Sequence, residues 1–227
     1  MNDYTWLLFD ADGTLFDYDK AEACALMAAF GDFGRTFTPA VLQAYRSIND
    51  SYWKKFERRE VSISELTARR FADLFETLGL IGDPVAFNES YLNQLSRQTH
   101  LVPGADKVIP ALARDYRLAI LTNGVARVQR TRLKASPIGK YFKTLVISED
   151  VGASKPSREY FDAAFTLLGN PRKDRVLMIG DSLSSDILGA IGYGIPACWY
   201  NPAGTALSPG MRVEAEIRNL EELLEIL

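Results

Sequence analysis

The stretch Trp6-Leu7-Leu8-Phe9-Asp10-Ala11-Asp12-Gly13-Thr14-Leu15 decides the fold. Four apolar residues in a row read as a strand of a parallel sheet, buried on both faces. Two carboxylates follow where the strand ends, and a spacing of two lets both point to one side. Gly13 then permits a sharp turn. Open α/β sheets bind their ligands just beyond the carboxyl ends of strands. An acidic pair placed there is costly unless something uses or neutralises it.

Working outward, similar short apolar runs occur at Leu118–Leu121, Leu145–Ile147, Val176–Ile179 and Ala197–Tyr200. Helical patterns lie between them, near Ala105–Arg114, Val125–Lys134, Glu159–Leu168 and Ile187–Tyr193. Strands alternating with helices predict a Rossmann-like, doubly wound parallel sheet. The stretch from Tyr18 to Ser96 differs, because it holds no β-like run. Val41, Tyr45, Ile48, Tyr52 and Phe56 keep helical spacing, as do Phe71, Leu74, Phe75 and Leu78, and Phe87, Tyr91 and Leu95. Thr38-Pro39 and Asp83-Pro84 are cap-then-proline starts, and Ser62-Ile63-Ser64-Glu65 fits a capping box. The expected organisation is therefore an α/β catalytic core of residues 1–17 and 98–227, with an all-helical domain of residues 18–97 inserted after the first strand. Two adjacent crossings of this kind predict a hinge, the alternative being that the helices simply pack on the sheet. Tyr52 and Trp53 in the insert are read as helix packing, with a substrate-facing role as the alternative.

The composition suits a full globular core: 227 residues, 47% hydrophobic and 24% charged. A net charge of -3 without a long basic run argues against nucleic acid as a partner. Met1-Asn2-Asp3-Tyr4 lacks the basic stretch and apolar core of a signal peptide, and no run reaches the ~20 apolar residues of a membrane span. Cys24 and Cys198 are isolated, which predicts reduced thiols in a cytoplasmic protein. His100 is the single histidine, which excludes a histidine-based triad and a His-rich zinc site.

Four polar sites follow four strand ends in order: Asp10 and Asp12; Thr122-Asn123-Gly124; Lys155-Pro156, beyond Ser148-Glu149-Asp150; and Gly180-Asp181-Ser182-Leu183-Ser184-Ser185-Asp186. In a parallel sheet these ends share one edge, so the four converge. Read alone, Asp181 and Asp186 are a turn residue and a helix cap, and Lys155 is a solvated lysine. Together the four motifs resemble those of the haloacid dehalogenase superfamily of phosphohydrolases, and the helical insert matches that family's mobile cap in position.

The resemblance implies roles, each physically sensible. Asp10 would be the nucleophile, attacking phosphorus to give an aspartyl-phosphate. A carboxylate meeting a phosphate needs positive charge, which Mg²⁺ supplies as a hard cation preferring oxygen. The Asp10 side chain, the Asp12 backbone carbonyl and the Asp181 side chain are the implied metal ligands. Asp186 would support the metal site or Lys155. Asp12 would protonate the leaving oxygen, then take a proton from the attacking water. Thr14 would hold the Asp12 loop or cap a turn. Thr122 and Asn123 would donate to phosphate oxygens, Gly124 would allow close approach, and Lys155 would neutralise phosphate and orient Asp10.

Within the superfamily, the chain is most similar to the noncanonical pyrimidine 5'-nucleotidases. The stretches that carry this are Leu7 to Asp12 with alanine between the acids, Leu145-Val146-Ile147-Ser148-Glu149-Asp150-Val151-Gly152, Val176-Leu177-Met178-Ile179-Gly180-Asp181, Ser185-Asp186-Ile187-Leu188-Gly189-Ala190 and Cys198-Trp199-Tyr200-Asn201. Gly13 stands where some members carry an acid. The implied substrate is a small phosphorylated metabolite, foremost a nucleoside 5'-monophosphate. The alternatives are phosphoglycolate or a sugar phosphate, and transfer to a sugar in the manner of a phosphoglucomutase. A dehalogenase would need neither Mg²⁺ nor an acid at position 12.

Overall fold

The computed structural model describes residues 3–207 and 210–227. Met1 and Asn2, part of the N-terminus read above for a leader, lie outside the described residues. By packing, the chain falls into two compact units: residues up to Tyr18 together with His100–Leu227, and Asp19–Thr99.

The first unit is built on β1 (Trp6–Phe9), β2 (Arg117–Thr122), β3 (Phe142–Ile147), β4 (Val176–Gly180), β5 (Ala197–Tyr200) and β6 (Ala215–Ile217). They form one sheet in the order β3-β2-β1-β4-β5-β6, with every neighbouring pair parallel. β1 is central, with Phe9 in register with Ile120 on one side and Ile179 on the other. Strand side chains alternate between faces, and here each face has its own core. Leu7, Phe9, Ile120, Ile179 and Cys198 belong to one, and Trp6, Leu8, Leu121, Met178 and Trp199 to the other. That double burial explains why these strands read as unbroken apolar runs. The helices of this unit are α5 (Ala105–Leu112), α6 (Ala126–Ala135), α7 (Ser148–Val151), α8 (Arg158–Leu167), α9 (Leu188–Tyr193) and α10 (Leu223–Ile226). A wide π-helical turn, Leu183–Ile187, leads into α9. The five strands read from sequence are all present, and β3 begins earlier than its apolar run. β6 was not anticipated.

The second unit consists of α1 (Tyr18–Asp32), which begins one residue before it, with α2 (Pro39–Glu57), α3 (Ile63–Thr77) and α4 (Pro84–Ser96). Thr38 caps α2, Asp83 caps α4, and Ser62 with Glu65 forms the capping box of α3. Its core is aromatic: Tyr45 stacks on Phe71 at 5.2 Å, and Phe71 meets Phe87 at 5.0 Å. The buried Arg70 guanidinium donates to Asn49 and Asn88 within that core. Tyr52 is buried and its hydroxyl donates to Asp73 at 2.7 Å, which makes it a strut between α2 and α3. Among the described residues no helix is long and apolar enough to cross a membrane.

Candidate active site

The site grows from the end of β1. Asp10 extends the ladder by donating its backbone N–H to Ile179 at 2.9 Å, which fixes the carboxylate at the sheet edge. The chain then turns through Gly13, at φ +92°, and Gly13 N–H closes the turn on the Phe16 carbonyl. Glycine is required here twice over. The φ is one that side-chain-bearing residues avoid, and a Cβ would lie 2.5 Å from Asp181 Oδ2.

Lys155 is buried and gives all three of its N–H bonds away: to Asp10 Oδ1 at 2.5 Å, Asp186 Oδ1 at 2.6 Å and the Leu121 carbonyl at 2.7 Å. Burial works against its charge, but the Asp10 and Asp186 carboxylates outweigh it and hold the ammonium above its ordinary range. It therefore acts as a fixed positive charge rather than as a free donor. Burial also pushes Asp10 well above the usual carboxylate range. Lys155 opposes that shift, while Asp186 and Asp181 add to it.

Asp181 follows β4, where Trp199 of β5 pins its carbonyl at 2.9 Å and Thr14 donates to its Oδ1 at 2.8 Å. The Thr14 hydroxyl, expected to hold the Asp12 loop or cap a turn, thus ties the first motif to the fourth. Burial, reinforced by Asp186, pushes the Asp181 carboxyl up to about 7. Asp186 lies within the π-helical turn, where its Oδ2 accepts from Ser182 N–H at 3.1 Å.

Oxygens of Asp10, Asp181 and Asp186 all lie within 4.8 Å of one another. Three carboxylates face one ammonium, and two of them are held above their usual range by burial and mutual repulsion. A hard divalent cation answers that excess with oxygen ligands, so the residues present fit Mg²⁺.

The second motif is tied to the third. The Asn123 carboxamide is committed to the main chain of Lys155, accepting its N–H at 2.9 Å and donating to its carbonyl at 3.0 Å. Asn123 thereby fastens Lys155, and this pairing uses one of the two N–H donors of its amide. The buried Thr122 hydroxyl accepts from Gly124 N–H at 3.0 Å and keeps its own proton to donate. The space that glycine leaves at position 124 is filled by the Gln129 carboxamide.

The Asp12 carboxylate lies outside the three-acid cluster. Gln129 Nε2 donates to its Oδ2 at 2.5 Å, and Arg132 Nη2 donates to its Oδ1. Neither partner was read from the sequence. Both lie on α6, three residues apart and so on one face, directly after Thr122-Asn123-Gly124, and that spacing is the available signal.

The pattern of the haloacid dehalogenase-like hydrolase family matches residues 4–194. The chain belongs to that family of hydrolases. It is 34% identical over 224 residues to pyrimidine 5'-nucleotidase YjjG of Escherichia coli, covering 99% of this chain and 98% of that one. It is 33% identical over 225 residues to pyrimidine 5'-nucleotidase PynA of Streptococcus pneumoniae, covering 99% and 95%. A crystal structure of the HAD-hydrolase YfnB of Bacillus subtilis, described as bound to magnesium, superposes with a TM-score of 0.93 at 36% identity, covering 99% of this chain and 98% of that one. The haloacid dehalogenase resemblance and the α/β fold expected from sequence both hold.

Proposed function

We propose that this hydrolase is a Mg²⁺-dependent phosphomonoesterase acting on nucleoside 5'-monophosphates, pyrimidine nucleotides foremost. The observation that carries the reading is the meeting of Asp10, Lys155, Asp181 and Asp186 at adjoining strand ends. The full-length similarity to two pyrimidine 5'-nucleotidases supports the substrate class.

Asp10 Oδ2 attacks phosphorus and the bond to the ester oxygen breaks, while Lys155 holds Oδ1. Asp12 gives its proton to the departing oxygen. Water then attacks phosphorus in the phosphoaspartyl group, the bond to Asp10 breaks, and the water proton passes to Asp12. Asp10 and Asp181, with the Asp12 backbone carbonyl, would hold Mg²⁺, and Asp186 would stand behind them bonded to Lys155. The bound ion supplies positive charge against the phosphate oxygens. Lys155 adds fixed charge, and the Thr122 hydroxyl proton is left to donate to a phosphate oxygen. The helical unit Asp19–Thr99 serves as the mobile, substrate-selecting cap. In support, its entry and exit are adjacent, since Asp17 N–H donates to the His100 carbonyl at 3.0 Å.

The test is phosphate release from uridine and thymidine 5'-monophosphates, a sugar phosphate and phosphoglycolate, each with Mg²⁺ and with a chelator. Pyrimidine nucleotides should turn over fastest, and only with the metal. A far faster sugar phosphate removes the nucleotidase reading, and no release from any ester removes the reaction class.

A further inference from the structure

Asp12 is held by two side chains that the reaction scheme does not use. Gln129 and Arg132 are both buried, on successive turns of α6, and each donates to a different Asp12 oxygen. Arg132 Nη2 also donates to Gln129 Oε1 at 2.9 Å, which closes the three groups into a ring of hydrogen bonds. We propose that Gln129 and Arg132 are positioning residues that clamp the Asp12 carboxylate in the orientation needed for proton transfer. The inference rests on the acid–base role proposed above for Asp12.

The clamp is built into the fold on every side. The Arg132 guanidinium lies over the Phe16 ring at 4.3 Å, and Phe16 is bridged to Asp12 across the same turn. α6 itself is anchored at its start, where Ala126 N–H donates to Glu149 Oε1 at 2.6 Å. Glycine at position 124 leaves the space that the Gln129 amide occupies on its way to Asp12.

Stability alone does not account for Arg132. It is fully buried, and its Nε and Nη1 have no hydrogen-bond partner among the described residues. A buried guanidinium with two nitrogens left unsatisfied is costly, and an ion pair of this kind is often matched in stability when apolar residues replace both of its partners. What the guanidinium does secure is the direction of one carboxylate. The clamp also leaves Asp12 able to act. A carboxylate has about four lone-pair sites and the clamp takes two, while the Asp12 side chain keeps 25% of its surface open.

The experiment compares Asp12→Asn, Arg132→Met, Gln129→Met and the double variant Asp12→Asn/Arg132→Met with the parent enzyme. Each is assayed with saturating Mg²⁺ on uridine 5'-monophosphate and on p-nitrophenyl phosphate, whose leaving group needs little protonation, and each is melted to confirm folding. Arg132→Met and Gln129→Met should lower kcat by roughly 10–100-fold with KM nearly unchanged, as a misdirected catalytic group does. The loss in kcat/KM, which reports the leaving-group step and not the shared hydrolysis of the phosphoaspartyl group, should be smaller on p-nitrophenyl phosphate. The double variant should be no slower than Asp12→Asn alone, because a clamp with nothing to hold contributes nothing. A merely structural arginine would instead lower kcat/KM equally for both substrates and multiply the loss in the double variant, and either result overturns the clamp. So does a folded Arg132→Met at parental rates. Should Arg132→Met fail to fold, the uncharged Gln129→Met decides by the same signature. Asp12→Asn at parental rates would overturn the role of Asp12, and the clamp with it.

Discussion

Lys155→Met removes the single ammonium in the buried acidic cluster without changing side-chain length much. Three acceptors lose their donor: Asp10 Oδ1, Asp186 Oδ1 and the Leu121 carbonyl. Breaking a buried charge pair by removing one partner typically costs about 3–5 kcal/mol. For a chain of this length each kcal/mol lowers the melting temperature by roughly 2–4 °C, so the metal-free variant should melt roughly 6–20 °C below the parent. The penalty should depend on pH. Without the ammonium, the buried carboxyls are held further above their unfolded range, and such groups destabilise the fold as pH rises and they ionise. The deficit should therefore be larger at pH 8 than at pH 5. Mg²⁺ should recover part of it at pH 8, since the cation replaces the missing charge. Thermal unfolding at both pH values, with Mg²⁺ and with a chelator, reads all of this. A metal-free Lys155→Met that melts within a degree or two of the parent at pH 8 would refute the reasoning.

Asp10→Asn should abolish turnover while the melting temperature stays near the parental value, because an amide attacks phosphorus and binds Mg²⁺ poorly; phosphate release and a melting curve check both. Mg²⁺ stabilisation should weaken as pH falls below about 7, since the Asp181 proton, held up to that value by burial and Asp186, must leave for the ion to bind. The shift in melting temperature with saturating Mg²⁺, measured from pH 5.5 to 8.5, tests this; a flat profile counts against it. Gly13→Ala should cost roughly 1–3 kcal/mol from its left-handed backbone alone. Its methyl group would also push Asp181 aside, so Mg²⁺ affinity should fall, as read by a titration of activity against the metal.

The core was legible because its strands are buried on both faces, which turns topology into apolar runs that end at polar motifs. Trp6–Phe9 and Ala197–Tyr200 coincide with β1 and β5. β6 was not legible: Ala215-Glu216-Ile217 is three residues long with a charge at its centre, too short for a period to register. The meeting of Asp10, Lys155, Asp181 and Asp186 was legible from the order of the strand ends, but not all the partners of the motif residues were. The tie between the Asn123 side chain and the Lys155 main chain was not legible because a motif names residues without their hydrogen bonds. Gln129 and Arg132 were passed over because polar residues in a helix ordinarily face water. Only the folded chain reveals that this face of α6 is buried against the turn after β1. The helical insert was legible through caps and aromatic spacing, which report packing and not what the unit recognises.

The near-coincidence of the points where the chain leaves and re-enters the α/β unit has an evolutionary consequence. No ladder hydrogen bond of β1–β6 is supplied by the excursion, and the ends at Tyr18 and His100 are already tied by the Asp17 and Phe16 contacts beside them. A lineage could lengthen, shorten or replace the whole excursion while leaving the reactive carboxylate on its central strand undisturbed. New chemical preferences are then reached by exchanging one module rather than by retuning the machinery itself.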